Sequence, residues 1–142
     1  MAERAHPEDV GFKDKFWGLK KNPYKRKLYE RYLFCNKFIK NKIVCDIPCG
    51  TGWGTSLLKN YKKILGFDIS QEAVDYANKK YSGDKISFKV ANMNSIPIDS
   101  DSVDVLLCLE GFEHVKKEVG LMFIEECKRV LKRYYYFSQT RT

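Results

Sequence analysis

Short apolar runs rich in Ile and Val alternate along this chain with segments whose apolar residues recur at helical spacing. The runs are bounded by Gly, Pro, Asp or Ser, which are typical of loops and helix starts. Strands that alternate with helices form βαβ units, which assemble into an open sheet with helices on both faces. The pattern therefore predicts a doubly wound α/β fold with a mainly parallel sheet of about five strands. The predicted strands are residues 42–47, 64–69, 86–91, 103–109 and 134–138, and the predicted helices are residues 23–40, 52–61, 70–81 and 118–132.

The first predicted strand runs directly into a glycine-rich loop, VCDIPCGTGWG, at residues 44–54. The strand ends in the carboxylate of Asp46, and Gly50, Gly52 and Gly54 follow at alternate positions. Glycines allow tight turns and the close approach of a ligand, and the start of the next helix offers free N–H groups. In doubly wound folds the ligand binds at the carboxyl ends of the strands, so this loop is the predicted binding site.

Two kinds of ligand compete for such a loop. The dinucleotide motif G-x-G-x-x-G requires a glycine where Thr55 stands, so the glycine spacing here departs from it. A carboxylate at Asp46 would repel a pyrophosphate but attract a ligand that carries an ammonium or sulfonium charge. The alternative role of Asp46 is structural, as a carboxylate satisfied by amides of the loop. The chemistry of the loop therefore disfavours a nicotinamide dinucleotide.

Further segments along the chain complete a family pattern. They are GFDIS at residues 66–70, Asn92-Met93, the stretch 96–104, Glu113-His114-Val115, and RVLK at residues 129–132. With the glycine loop, they make residues 43–132 resemble the class I S-adenosylmethionine-dependent methyltransferases, in particular the methyltransferase type 11 group. The resemblance implies a Rossmann-like fold and S-adenosylmethionine as cofactor, with S-adenosylhomocysteine as product. It also implies methyl transfer to an acceptor, which we expect to be a small molecule.

The resemblance assigns cofactor-binding roles as well. Asp68 matches the acid that holds both ribose hydroxyls, and hydrogen bonds to a charged group contribute roughly 1.5–3 kcal/mol each. Its alternative role is that of an acid at a helix N-terminus beside Ser70. Asn92 stands where the family usually has the Asp that reads the adenine amino group, and it keeps an acceptor while losing the charge. The predicted cofactor-binding residues are Asp46, Pro48, Cys49, Gly50, Gly52, Trp53, Asp68, Ile69, Asn92, Met93, Leu109 and Glu110.

The candidates for a catalytic base follow the fourth predicted strand. They are Glu110, Glu113 and His114, which the fold brings to the crevice at the strand ends. A base is optional, because orientation and desolvation lower the barrier to methyl transfer without a protein nucleophile. A neutral imidazole can accept a proton near neutral pH. The alternative role of Glu113 and His114 is capping and packing at the start of the next helix.

The sequence departs from the family pattern at its C-terminus. The family's sheet usually has seven strands, whereas five are predicted here, so the last two are lacking. An unpaired aromatic strand at Tyr134–Ser138 would be an exposed edge, which we expect a second copy or a partner chain to cover. A non-catalytic module that binds the cofactor or a partner protein is the alternative to an active enzyme.

The net charge of +8 is concentrated near the N-terminus. Residues 1–42 hold 12 Lys and Arg against 5 Asp and Glu, whereas residues 43–142 hold 14 against 13. We therefore divide the chain into a basic N-terminal arm and helix, residues 1–41, and a cofactor-binding domain, residues 42–142. Basic residues interleaved with Phe16, Trp17 and Tyr24 suit base stacking and phosphate contacts, so RNA binding or RNA methylation is a third, less favoured hypothesis. A solvated helix face explains the same charges.

The composition also indicates a compartment. The polar N-terminus lacks a signal-peptide core, and no apolar run approaches the roughly 18–20 residues that span a bilayer, so we expect a cytoplasmic protein without a membrane segment. The five cysteines form no CxxC pair and indicate buried thiols in a reducing compartment. Neither a disulfide framework nor a metal site is predicted.

Overall fold

The computed structural model describes residues 22–109 and 111–132, apart from the side chain of Glu113. Four strands form one sheet in the order β3-β2-β1-β4, and every pairing is parallel. The strands are β1 (Ile43–Asp46), β2 (Lys63–Asp68), β3 (Ile86–Val90) and β4 (Val105–Leu107). The prediction of a Rossmann-like parallel sheet is confirmed. The fifth predicted strand, Tyr134–Ser138, lies outside the described residues. The expectation that a second copy or a partner chain covers it therefore stays a prediction.

Helices cover both faces of this sheet. They are α1 (Pro23–Cys35), α2 (Gln71–Tyr81) and α3 (Lys117–Val130). One buried cluster joins α1 and α2 to Val44, Ile64 and Phe88, and a second joins α3 to Cys45 and Phe67. Neighbouring strand residues belong to opposite clusters, as the two-residue period of a strand requires. The sheet is therefore doubly wound, as predicted.

Two helix starts carry the caps that the sequence indicates. The side chain of Asn22 accepts hydrogen bonds from the backbone N–H groups of Tyr24 and Lys25, and Ser70 Oγ accepts one from Ala73 N. These oxygens satisfy N–H groups that the first turn of a helix leaves unpaired. The helix predicted over residues 70–81 is therefore confirmed, with Ser70 as its N-cap.

The helix predicted over residues 23–40 ends at Cys35, five residues early. Asn36 Nδ2 donates to Leu57 O and Asn36 Oδ1 accepts from Lys59 N, at 3.2 and 2.8 Å, which ties the helix end to a later loop. The chain then turns so that Ile39 is fully buried in the same cluster as α1. Tertiary packing therefore ends the helix before its apolar periodicity does.

The helix predicted over residues 52–61 is wrong. Only a single 3-10 turn forms there, at Thr55–Leu57. Gly52 has a φ of +83° and Asn60 a φ of +61°, both outside helical geometry. Leu57 and Leu58 are both buried, and Leu58 is extended. The segment is a packed loop because Leu57, at the end of the turn, and Leu58, on extended backbone, are both buried in the core.

The remaining differences are at element ends. The fourth strand is shorter than predicted and is limited to Val105–Leu107, although Val103 forms a bridge with Leu131. Residues 1–21 lie outside the described residues, so the division of the chain at residue 41 stays a prediction. Within the part of the chain that the structure describes, no helix is long and apolar enough to cross a membrane. The five cysteines are Cys35, Cys45, Cys49, Cys108 and Cys127, and all are free thiols.

The close approach of β2 and β3 gives a test of the packing. A Cβ at Gly66 would lie 2.5 Å from the ring of Phe88, which is itself buried. We expect Gly66→Ala to lower the free energy of unfolding by about 1–3 kcal/mol, because the ring has no room to move. Gly83→Ala is the matched control, since the nearest atom to its Cβ would be 4.0 Å away. Urea unfolding measures both, and equal stabilities of the two variants would contradict the packing.

Candidate cofactor site

The site is built where the two central strands end. β1 ends at Asp46 and β2 ends at Asp68, and the strands are adjacent and parallel. The loop that leaves β1 passes over the end of β2, where Cys49 N donates to Phe67 O at 2.8 Å. The parallel arrangement therefore brings both predicted acids and the glycine loop to one edge of the sheet.

Asp46 lies beneath the loop and is fully buried. Tyr32 Oη donates to its two carboxylate oxygens at 3.2 and 3.0 Å, and Thr55 Oγ1 donates to Oδ2 at 2.7 Å. Burial raises the pKa of Asp46 to about 7, although the two hydroxyl groups lower it and the nearby charge of Asp68 raises it further. The partners of this carboxylate are therefore hydroxyl groups, where the sequence suggested loop amides.

Tyr32 is a part of the site that sequence reasoning missed. Its ring packs against Gly54 so closely that a Cβ there would lie 2.1 Å from a ring carbon. The side chain is 3% exposed, and its burial and its contact with Asp46 raise the pKa of its hydroxyl well above the ordinary value. The sequence did offer a signal for this role. Tyr32 lies among apolar residues that recur at helical spacing in α1, and a tyrosine buried on such a face needs a partner for its hydroxyl.

Asp68 connects the glycine loop to the end of β2. Its Oδ2 accepts a hydrogen bond from Gly50 N and its Oδ1 accepts one from Ser70 N, each at 2.9 Å. An ionised carboxylate has about four acceptor positions, so each oxygen keeps one for a ligand. Gly50 has a φ of +57°, and no described atom lies within 4 Å of where its Cβ would be. The carboxylate is thus held by two amides beside open space.

A cleft of about 190 Å³ opens next to Asp68. Its surface is mostly apolar, with Asp68 and Asn92 as polar groups at its margin. It combines five of the predicted cofactor-binding residues with five that were not predicted. The lining residues are Ile47, Pro48, Asp68, Ile69, Ala91, Asn92, Met93, Gly111, Val115 and Val119.

Among the residues that the structure describes, the other predicted cofactor residues do not line the cleft. Cys49 and Trp53 are buried on the face of the sheet that carries α1 and α2, and burial raises the pKa of the Cys49 thiol. Gly52 packs against Phe88, which a Cβ at Gly52 would approach to 3.0 Å. Leu109 O accepts a hydrogen bond from Arg31 Nη1 at 3.3 Å. Glu110 lies outside the described residues.

The candidate bases are only partly described. His114 is exposed and ends a 3-10 turn, Phe112–His114, that follows β4. The side chain of Glu113 lies outside the described residues, as Glu110 does. Lys116 holds the N-cap position of α3, two residues beyond His114. His114 therefore does not hold the N-cap position of α3.

An ion pair from α3 fixes the loop that follows Asn92 and Met93. Arg129 donates to Ile96 O and Ile98 O, both at 2.8 Å, and to the carboxylate of Glu126 at 2.8 and 2.9 Å. Glu126 in turn accepts from Ile96 N at 2.8 Å. Bidentate pairing of this kind sets orientation as well as adding energy. The residues that carry one wall of the cleft are therefore anchored to a helix.

Comparison with known proteins identifies the family. The profile of the methyltransferase domain family matches residues 44–134, which is more than half of the chain. The chain belongs to this family of methyltransferase domains. A relative from Mycolicibacterium smegmatis, 27% identical over 90 residues, is described as an S-adenosylmethionine-dependent methyltransferase; the match covers 63% of this chain and 34% of that protein.

Three relatives show how far the likeness extends. A Dictyostelium discoideum protein described as a methyltransferase is 30% identical over 135 residues, which are 89% of this chain and 48% of that protein. The ubiquinone/menaquinone biosynthesis C-methyltransferase of Campylobacter jejuni is 31% identical over 109 residues, covering 71% and 43% of the two chains. The crystal structure of protein PH0226 from Pyrococcus horikoshii superposes with a TM-score of 0.67 at 20% identity, over 89% of this chain and 58% of that one.

The chain spans about a third to a half of the length of the curated relatives that it matches. The segment that matches the family, residues 44–134, includes the glycine loop and every residue that lines the cleft. The likeness to the Pyrococcus structure, at 20% identity, shows the fold alone.

The buried carboxyl of Asp46 gives a prediction on the pH dependence of stability. Its pKa is about 7 in the fold against an ordinary 3.8, so between those values the folded state binds more protons than the unfolded state. Stability therefore falls as the pH rises through this window. The neutral Asp46→Asn variant lacks this loss, and its stability relative to wild type should rise by about 2–3 kcal/mol between pH 5 and pH 8.

Asp104→Asn is the control for this series. Hydrogen bonding by Ile43 N and the charge of Lys132 lower the pKa of Asp104, against the effect of its burial, so its carboxyl is ionised throughout that range. The stability of Asp104→Asn relative to wild type should stay constant from pH 5 to pH 8. Urea unfolding at each pH gives both differences. A flat difference for Asp46→Asn would mean that Asp46 does not titrate in this window.

Proposed function

We propose that this chain is an S-adenosylmethionine-dependent methyltransferase domain that acts on a small-molecule acceptor. The observation that carries the proposal is Asp68, whose carboxylate is held by Gly50 N and Ser70 N at the margin of the cleft. A carboxylate with one free acceptor position on each oxygen suits a vicinal diol, and the ribose of the cofactor has one. The family membership of the chain agrees with this chemistry.

The lining of the cleft fits the rest of a nucleoside. Ile69, Met93, Val115 and Val119 provide apolar walls for an aromatic base, and Asn92 provides an amide at the margin. Asp46 does not line the cleft; its role in this proposal is to hold the glycine loop in place through Thr55. When bound, the cofactor supplies an electrophilic methyl group on a sulfonium centre.

In this proposal the residues of the chain orient the bound cofactor and exclude water from it, and none of them needs to form a covalent bond with the substrate. Apolar walls reduce hydration at the cleft, and a fixed carboxylate sets the position of the ligand, so the reacting groups meet with less loss of entropy. Glu110, Glu113 and His114 follow β4 and are the candidate bases for an acceptor that must lose a proton. The small-molecule acceptor is supported by the Campylobacter relative, which is named for ubiquinone and menaquinone biosynthesis.

Replacement of Asp68 tests the proposed ribose contact. We expect Asp68→Asn to weaken the binding of S-adenosylhomocysteine by about 10- to 150-fold, since a charge-assisted hydrogen bond contributes roughly 1.5–3 kcal/mol. Asp84→Asn removes the same charge from an exposed position away from the cleft and should bind as wild type does. Calorimetric titration of each folded variant measures the dissociation constants. Equal affinities of Asp68→Asn and wild type would overturn the assignment.

A further inference from the structure

A dense group of lysines lies at the end of the sheet opposite the cleft. Two loops, residues 36–42 (NKFIKNK) and residues 59–63 (KNYKK), lead into β1 and β2. They hold six lysines, all exposed, and no Asp or Glu. We call these lysines and the adjoining rings of Phe34 and Phe38 the basic end. The six lysines are Lys37, Lys40, Lys42, Lys59, Lys62 and Lys63.

Backbone hydrogen bonds hold the two loops side by side. Asn41 N donates to Asn60 O, and Lys62 N donates to Lys42 O, each at 2.8 Å. Asn41 and Asn60 both have positive φ, at 57° and 61°, so a tight turn in one loop faces a tight turn in the other. Asn36 adds the side-chain contacts to Leu57 and Lys59 described above. The lysines are thus carried on a fixed backbone, which concentrates positive charge on one surface.

The charges near the basic end do little to neutralise it. Asp104 attracts Lys42, but it also pairs with Lys132 at 3.5 Å and accepts a hydrogen bond from Ile43 N. A surface of like charges at this density attracts a polyanion and releases its counterions on binding.

Two aromatic rings lie beside these lysines. Phe34 and Phe38 are 45% and 39% exposed, their centroids are 5.4 Å apart, and Lys37 Nζ lies 5.2 Å from the centroid of Phe34. Both residues are exposed, and their two rings meet edge to face at an interplanar angle of 63°. Exposed ring faces next to cations are the combination by which proteins hold single-stranded nucleic acid without reading its sequence.

We propose that the basic end is a docking surface for single-stranded RNA. The lysines contact phosphates, and the rings of Phe34 and Phe38 stack on bases. The surface is distinct from the cleft, because the six residues of β2 separate the two by roughly 17 Å. The proposal therefore does not rest on the proposed function, and failure of one leaves the other standing.

The test uses the full 142-residue chain and a fluorescently labelled 12-nucleotide oligouridine, with binding followed by anisotropy. Contact with three to six phosphates predicts a slope of about −2 to −4 for log affinity against log salt, or about 15- to 250-fold weaker binding at 200 mM than at 50 mM NaCl. Phe34→Leu should weaken binding about fivefold or more, because it removes a stacking face and keeps an apolar side chain.

Lysine variants locate the surface. The triple variant Lys37→Gln, Lys40→Gln, Lys62→Gln should bind the oligonucleotide at least about tenfold more weakly at 50 mM salt and with a slope smaller in magnitude by about 2. The control is Lys79→Gln, Lys89→Gln, Lys117→Gln, which removes the same charge from exposed positions on other elements and should bind nearly as wild type does. Both variants should bind S-adenosylhomocysteine equally well.

Several results would overturn the proposal. One is equal loss of RNA affinity in the two triple variants, which would reflect net charge alone. Another is RNA binding by the basic-end variant that matches wild type, which would assign the binding to other residues. A third is binding to vesicles that contain phosphatidylserine without binding to the oligonucleotide, because the surface would then be a membrane contact.

Discussion

The buried carboxylate of Asp46 is the contact on which the cofactor end of this domain depends. It ends β1, it receives hydroxyl hydrogen bonds from Tyr32 on α1 and from Thr55 beyond the glycine loop, and it is fully buried. The loop must therefore fold back over the strand end, and Gly54 must leave room for the Tyr32 ring. Removal of a partner would leave a buried charge without compensation, which is costly. The position of Gly50 N against Asp68 follows from that arrangement.

Much of the fold and of the cofactor edge could be predicted, because local signals there agree with the final structure. Short apolar runs predicted the four described strands, and the glycines that follow the acid at the end of β1 predicted the loop. The packed loop at residues 52–61 could not be predicted, since the burial of Leu57 and Leu58 in the core is a tertiary effect. The role of Tyr32 could not be predicted, because its partner Asp46 lies 14 residues away and the apolar periodicity of α1 does not reveal a hydroxyl contact.

The two ends of the sheet differ in chemistry. At the carboxyl ends, apolar walls and the carboxylate of Asp68 surround a small cleft, whereas at the amino ends of β1 and β2 six lysines face solvent. Parallel strands place these surfaces at opposite ends by topology alone, since every strand runs in the same direction. Binding at one end can therefore change without disturbing the other.

We propose that S-adenosylmethionine binds at the carboxyl ends of β1 and β2. A titration of the 15N-labelled chain with S-adenosylhomocysteine, followed by two-dimensional amide NMR and with NAD titrated in parallel, tests this placement. We expect the amide signals of Gly50, Ile69 and Met93 to shift with S-adenosylhomocysteine and to stay unchanged with NAD. Shifts confined to residues away from the cleft, a matching response to NAD, or no shift in a chain with the spectrum of a folded protein would contradict it.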